Sequence, residues 1–276
     1  MGESVVDVFA EEIRGIFRDH RLSRTNDIDI QQLSIDEAYA VQQRYLAGRI
    51  ANGERTIGYK VGCTSPAIQT QFGLSQPICG RLLAPHIYED GETLHIDDYV
   101  DCALEAELVF RIGIDFDGSS LEPAFLRNAI AAVSPGIEVH NYRFWYGNPT
   151  SQELIASNGI HAGLVVGTAQ ALPPEVNLGQ ERTSLLVNGV EVSAGFGGEL
   201  MDGLGPIGSL GWLVSHLRKA NLRLRAGDLV IPGAVTKLIP VKAGDAVEAR
   251  FTHFGACHAK FCKSRGDRDT EGAQHD

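Results

Sequence analysis

The sequence predicts an α+β protein, with a β-rich core behind an N-terminal helical section. Short apolar runs alternate at period two, the signature of strands, and turns such as Asp90-Gly91, Asn188-Gly189, Gly227-Asp228 and Gly244-Asp245 separate them. The 31 glycines suit so many tight turns. Helical periodicity is confined to a few stretches. No G-x-G-x-x-G follows a strand, and G-x-x-x-x-G-K-[ST] and G-x-S-x-G are both missing, which disfavours a dinucleotide sheet, a P-loop and a nucleophile elbow. The expected organisation is a helical section over 1–55, a catalytic β-rich domain over 56–263 and a disordered tail over 264–276.

In chain order, Val5, Val6, Phe9, Ile13 and Phe17 repeat at helical spacing. Ser34-Ile35-Asp36-Glu37 is a capping box that opens a second helix through Ile50. Thr56–Gly62 reads as a strand, and Ser65-Pro66 as the start of a short helix. Leu82–Tyr88 and Thr93–Ile96 read as extended, and another strand runs through Glu105 and Glu107 to Ile114. A helix is expected over Glu122–Val133, stopped by Ser134-Pro135-Gly136. Val187-Asn188-Gly189-Val190 is a hairpin signal, and Pro206–Leu222 is helical. Leu229–Ile231, Lys237–Val241 and Ala246–Phe254 complete the expected strands.

Acidic residues outnumber basic ones, 35 to 24, for a formal charge of −11. That disfavours nucleic acid or an anionic membrane surface as the partner, since either demands clustered Lys and Arg. No apolar run reaches the ~20 residues of a membrane helix. The start of the chain has neither the basic nor the apolar segment of an export signal. The five cysteines contain no Cys-x-x-Cys and read as thiols in a reducing compartment. The expectation is a cytoplasmic protein.

Chemistry centres on Ala103-Leu104-Glu105-Ala106-Glu107-Leu108. In a strand, Glu105 and Glu107 share one face while Leu104, Ala106 and Leu108 share the other. Two adjacent carboxylates repel each other unless a cation lies between them, and oxygen-only ligation suits Mg²⁺, Mn²⁺ or Ca²⁺. The plainer alternative is a strand with one wet face and two solvated glutamates. A metal needs a third ligand, and Glu138, entering a strand after a Pro-Gly break, is the candidate. Lys60, in a glycine-bracketed apolar strand, is either a snorkelling surface lysine or a group facing a site. Arg81 and Arg143 are candidates to recognise a distal substrate carboxylate, or are ordinary structural arginines.

Taken together, Gly58-Tyr59-Lys60-Val61-Gly62-Cys63-Thr64-Ser65, Glu105-Ala106-Glu107 and Glu138 with the following Val139-His140-Asn141-Tyr142-Arg143-Phe144 resemble one family. Val187–Gly195 and Pro240-Val241-Lys242-Ala243-Gly244-Asp245 extend the likeness. It is similar to the 2-keto-4-pentenoate hydratase and 4-oxalocrotonate decarboxylase branch of the fumarylacetoacetate hydrolase superfamily, from about Ser34 to Phe261. The resemblance implies a mixed β-sheet roll core and Mg²⁺ or Mn²⁺ held by Glu105, Glu107 and Glu138. It also implies that Lys60 faces a small 2-oxo or 2-hydroxy dienoic acid. A homo-oligomer follows from it too, and a complex with a partner enzyme of the same pathway is compatible with it.

The sequence departs from that family near the expected pocket. Ala156-Ser157-Asn158 stands where relatives often have Ala-Asp-Asn, so a hydroxyl replaces a carboxylate beside the substrate-binding candidate Asn158. Leu204-Gly205-Pro206-Ile207-Gly208 lacks a His and an Asn, and Pro232-Gly233 replaces Thr-Gly. The leading expectation is a metal-dependent hydratase using Lys60 and Ser157 as catalytic groups. A decarboxylase or tautomerase of a 2-oxo acid is the alternative, and a non-catalytic partner subunit or binding module is the reading from another class. C–C bond hydrolysis calls for a water-activating His–Glu pair; His140 and His161 are available for one, but the sequence does not place them.

Overall fold

A computed structural model describes residues 4–19, 30–141 and 149–264. Helices α1 (Val5–Asp19) and α2 (Ile35–Ala51) come first, as the periodicity predicts, and both halves of the Ser34/Glu37 capping box are formed. Phe9, Ile13, Val41, Tyr45 and Leu46 bury the facing sides of the two helices. The same cluster takes in Leu83 and Ala156, so it continues into the β-rich part of the chain. Buried Gln42 donates to the carbonyls of Cys79 (2.9 Å) and Ile155 (2.7 Å), which meets its amide's need for partners inside the protein.

The large sheet follows the order β2 (Ile78–Leu83), β1 (Thr56–Gly62), β10 (Leu229–Ile231), β5 (Cys102–Ile112), β6 (Ile130–Asn141), β7 (His161–Val166), β3 (Ile87–Glu89). A short β11 (Ile239–Pro240) also pairs with β5. The β1–β10 and β3–β7 pairs are parallel and the others antiparallel, so the sheet is mixed. Strands β2 and β7 lie far apart on this path yet touch, which makes the sheet a roll. Gly58 permits the β1–β10 pairing, because a Cβ there would lie 1.9 Å from the Leu229 carbonyl oxygen.

The second sheet has the order β4 (Thr93–His95), β13 (Gly255–Cys262), β12 (Ala246–Phe251), β8 (Arg182–Val187), β9 (Val190–Phe196). It packs on the roll's outer face, where Leu104, Ala106, Leu108 and Phe110 meet Leu185, Ala249, Phe251 and Phe261. Helix α6 (Gly205–Lys219) adds Leu210, Leu213 and Leu217 to that core. The inner face of the roll carries a smaller apolar group, Leu82, Val109, Leu164, Leu229 and Ile231.

Several expectations need correction. The helix expected over Glu122–Val133 is only the short α4 (Pro123–Asn128), and β6 begins at Ile130 and runs straight through Ser134-Pro135-Gly136. Helical spacing of Leu126, Ile130 and Val133 concealed the period-two run Val133, Ile137, Val139 that packs into the core. Pro135 is tolerated at the end of β7, where its carbonyl takes the Gly167 N–H at 2.8 Å and its missing donor faces the same side. The strand expected over Lys237–Val241 shrinks to the two residues of β11, and the one expected to reach Phe254 ends at Phe251. The short helices α3 (Pro66–Gln71) and α5 (Ser151–Ala156) complete the elements. Helix α5 had a readable signal, the Thr150/Glu153 capping box.

Near the end of α2, Arg49 pairs with Glu54, donates to the Tyr45 hydroxyl at 2.8 Å and meets His86 Nε2 at 2.5 Å. Guanidinium only donates, so His86 must accept as the neutral ring. Burial, with the Arg49 charge beside it, pushes the His86 pKa from 6.5 down to about 4. A histidine held neutral in the fold favours the unfolded chain once the free ring protonates. The folded state therefore keeps its full stability at this residue above pH 6.5 and loses it as the pH falls toward about 4. Melting temperatures measured across that window should fall for the wild type and fall less for His86→Gln; parallel curves would remove His86 as the cause.

Candidate active site

The antiparallel register of β5 and β6 sets Glu105 directly opposite Glu138, and Glu107 opposite Gly136. All three glutamates thus point from one face, the inside of the roll. His140 follows Glu138 at strand spacing, and His161, the first residue of β7, is its cross-strand neighbour. Lys60 comes from β1, on the face opposite Tyr59. Its Nζ reaches Glu138 Oε1 at 2.7 Å and donates to the Gly159 carbonyl at 3.1 Å.

Glu138 has no exposed surface, Glu107 has 1% and Lys60 4%, whereas the side chain of Glu105 is 24% exposed. Glu105 is therefore the member that reaches toward solvent. His161 Nδ1 lies 2.8 Å from Glu138 Oε1, and His140 Nε2 lies 3.1 Å from Glu105 Oε2 and 3.4 Å from Glu138 Oε2. Glu107 accepts a 3.2 Å hydrogen bond from the Gly233 backbone N–H. The neighbouring Thr236 hydroxyl accepts from Ala106 N at 2.9 Å, so the segment after β10 is tied to β5 at the glutamate and at the residue before it.

These groups shift one another's ionisation. Burial alone would raise the Glu138 pKa, but the His140 and Lys60 charges hold it well below the usual carboxylate range. Glu107 goes the other way, pushed up by burial and by the Glu138 and Glu105 carboxylates. Burial opposes charge on Lys60 and on His140, yet Glu138 raises both. His161 is lowered, because burial outweighs its contact with Glu138.

The residues present fit a divalent cation. Ligand atoms of Glu105, Glu138 and His140 all lie within 4.8 Å of one another, and Glu138 Oε2 is buried without a hydrogen-bond partner. Carboxylate crowding of this kind favours a cation with oxygen ligands, such as Mg²⁺ or Mn²⁺. Glu107 lies beside this trio rather than inside it.

Not every expected site residue arrives here. Lys60, Glu105, Glu107 and Glu138 converge. The Ser157 hydroxyl is fully buried and spent on its own turn, donating to the Leu154 carbonyl at 3.2 Å and accepting from Ile160 N at 3.3 Å. Asn158 lies against Gly80, but both ends of its amide are occupied. Its oxygen accepts from Arg81 N at 2.7 Å, and its nitrogen donates to the Arg81 carbonyl at 2.9 Å. It serves as a substitute strand partner that ties the turn before β7 to β2. Arg81 pairs across from Tyr59, so its side chain leaves from the face opposite Lys60 and lies over the Tyr59 ring. Arg143 falls outside the described residues. The sequence left His140 and His161 unplaced; the two-residue spacing of Glu138 and His140 was the available signal, the same one that pairs Glu105 with Glu107.

The turn that supplies these contacts is itself unusual. Asn158, Gly159 and Ile160 all have positive φ, at 64°, 66° and 53°. That conformation costs little for glycine but is strained for a β-branched isoleucine. It directs the Gly159 carbonyl to Lys60 and sets His161 against Glu138.

Residues 77–262 match the C-terminal domain of fumarylacetoacetate hydrolase. The chain belongs to the fumarylacetoacetate hydrolase family. It is similar to the TodF product hydratase of Pseudomonas putida strain F1, 32% identical over 85% of this chain and 87% of that protein. A 2-keto-4-pentenoate hydratase of Burkholderia vietnamiensis is also 32% identical, over 81% of this chain and 85% of the relative. Among solved structures, the 4-oxalocrotonate decarboxylase of Pseudomonas putida G7, complexed with magnesium and adipate, superimposes with a TM-score of 0.86 at 25% identity, covering 93% of this chain and 97% of that one. Within the family, the chain falls in the branch that holds these hydratases and decarboxylases.

Two measurements check this geometry. Calorimetric titration with Mn²⁺ should show a site whose affinity falls by about 10- to 100-fold in Glu107→Gln and further in Glu138→Gln; equal affinity in the first variant would remove Glu107 as a ligand, and equal affinity in both would remove the carboxylate cluster as the site. Asn158→Ala should lower stability by about 1–3 kcal/mol in urea unfolding, because it leaves both Arg81 backbone groups without partners. An unchanged midpoint would show that the roll closes without this side chain.

Proposed function

We propose that the chain is a metal-dependent hydratase that adds water to a 2-hydroxy-2,4-dienoate through its 2-oxo-3-enoate form. The carrying observation is the convergence of Glu105, Glu107 and Glu138 with Lys60 on the inner face of a roll belonging to a hydratase-rich branch. Glu105 and Glu138, whose ligand atoms already lie together, would hold Mg²⁺ or Mn²⁺ with the adjacent Glu107 as the third carboxylate; when bound, the ion supplies Lewis-acid stabilisation of the negative charge that develops on the substrate's 2-oxygen.

The chain's own groups account for the remainder. Lys60 places a buried ammonium beside Glu138, where it favours an anionic substrate and can deliver a proton as the dienol becomes the ketone. Its position is fixed by Glu138 and the Gly159 carbonyl, so it needs little reorganisation when charge develops. His140 Nε2, between Glu105 and Glu138, is a second atom that can hold a proton at the site. The sheet shields the inner end of this cluster from water, while the partly exposed Glu105 marks its open end.

Ser157 supports a second reading. Its hydroxyl is consumed within its own turn, so no carboxylate or free hydroxyl stands there to activate water. Decarboxylation of a 2-oxo diacid uses the same enolate and needs no positioned water. Proton NMR of 2-hydroxypenta-2,4-dienoate with the protein in D₂O, first with Mg²⁺ and then with EDTA, separates the two. Hydration gives 4-hydroxy-2-oxopentanoate only with metal. Deuterium entering C3 without hydration would leave enolisation intact and exclude hydration of this substrate; no metal-dependent change would reject the proposed reaction.

A further inference from the structure

Behind the active-site face of the large sheet, an open cleft of about 810 Å³ brings together Arg81, Arg218, Arg223 and Arg225. Such a cluster stands out in a chain with 35 acidic and 24 basic residues. Elsewhere, Arg14, Arg18, Arg44, Arg49, Arg182 and Arg250 each pair with a carboxylate. Among the described residues, no ion pair engages any of the four in the cleft. Asp117 and Asp228 also line it: Asp117 accepts from Ser119 N at 3.0 Å and feels the Arg218 charge, and Asp228 accepts from Arg225 N at 2.9 Å, so the four guanidinium groups outnumber the two carboxylates.

The arginines are arranged by the fold. Arg81 is half-buried, its guanidinium carbon 4.0 Å from the Tyr59 ring centre and its Nη2 donating to Thr56 Oγ1 at 2.7 Å. That contact fixes the plane of its remaining donors. Leu224 is fully buried and pairs through both backbone groups with Phe116, so Arg223 and Arg225 on either side of it are turned outward together. Arg218 comes from the last turn of α6 and is steadied by the Gly118 carbonyl at 3.1 Å.

We propose that this cleft binds a small molecule carrying a di- or triphosphate group. One guanidinium fork satisfies a carboxylate. Forks converging from β2, from the end of α6 and from the segment before β10 match a ligand with several multiply charged oxygen groups. The cleft is larger than a diphosphate, and exposed Leu222 on its wall offers apolar surface to the organic remainder. The site is separate from the carboxylate cluster and does not rest on the proposed hydration: Tyr59 and Lys60 are adjacent on β1 but face opposite sides.

The test is calorimetric titration of the full chain with inorganic pyrophosphate and tripolyphosphate, in EDTA so that no divalent cation links the probe to the glutamates. The wild type should bind saturably, one probe per chain. Arg223→Gln/Arg225→Gln should bind at least roughly tenfold more weakly while its Mn²⁺ affinity stays unchanged. Arg81→Lys, which keeps the charge but loses the planar fork, should also weaken binding. Absence of saturable binding to the wild type, or equal binding by the double variant, overturns the proposal. A change in subunit number in the double variant, without phosphate binding to the wild type, overturns it as well and makes the cleft a contact between copies of the chain.

Discussion

Glu138 is a carboxylate without access to water, and much of the roll is arranged around keeping its charge. A lone buried carboxylate would be neutral at ordinary pH, because desolvation favours the protonated form. Here Lys60, His140 and His161 surround it from two other positions in the sheet and from its own strand. Replacing such a cluster with apolar side chains often costs a protein nothing in stability, so its presence is poorly explained by stability alone. The arrangement keeps one carboxylate oxygen engaged and leaves the other without a hydrogen-bond partner, as a ligand-binding group requires.

The same alternation that builds this cluster also separates the molecule's two polar surfaces. Along β1, Lys60 faces the interior of the roll and Tyr59 the outside; along β2, Gly80 lies against Lys60, and Arg81 lies on Tyr59. Gly80 is needed there, since a Cβ would meet Lys60 Cγ at 2.8 Å. Adjacent residues can therefore serve unrelated chemistries, one anionic and enclosed, the other cationic and open.

Most of the architecture was legible where a local rule governs it. The capping box of α2, the Asn188-Gly189 hairpin and the shared face of Glu105 and Glu107 depend on neighbours a few residues apart, and all three are found in the structure. The boundary at Asn128 was not legible, because Ile130 and Val133 satisfy helical and strand spacing about equally well and Pro135 looks like a terminator. Pairing with β5 decided the matter. The true surroundings of Asn158 and Arg81 were hidden for a similar reason: their roles depend on which residues lie across the sheet, 77 positions away in sequence. A short motif can identify a side chain that belongs near a site, but not whether another part of the chain has already taken its hydrogen bonds.

The left-handed turn at Asn158–Ile160 bears on the order in which the molecule can come together. Helices α1 and α2 and the β8–β9 and β12–β13 hairpins involve partners close in sequence, and local contacts of that kind form readily. Lys60, Gly159 and Glu138 meet only after distant strands have joined and the sheet has curled, and Ile160 adopts its strained backbone only when that closure holds it. A chain can thus acquire nearly all its regular structure and still lack a working centre. Competence belongs to the closed roll and to no smaller part of it.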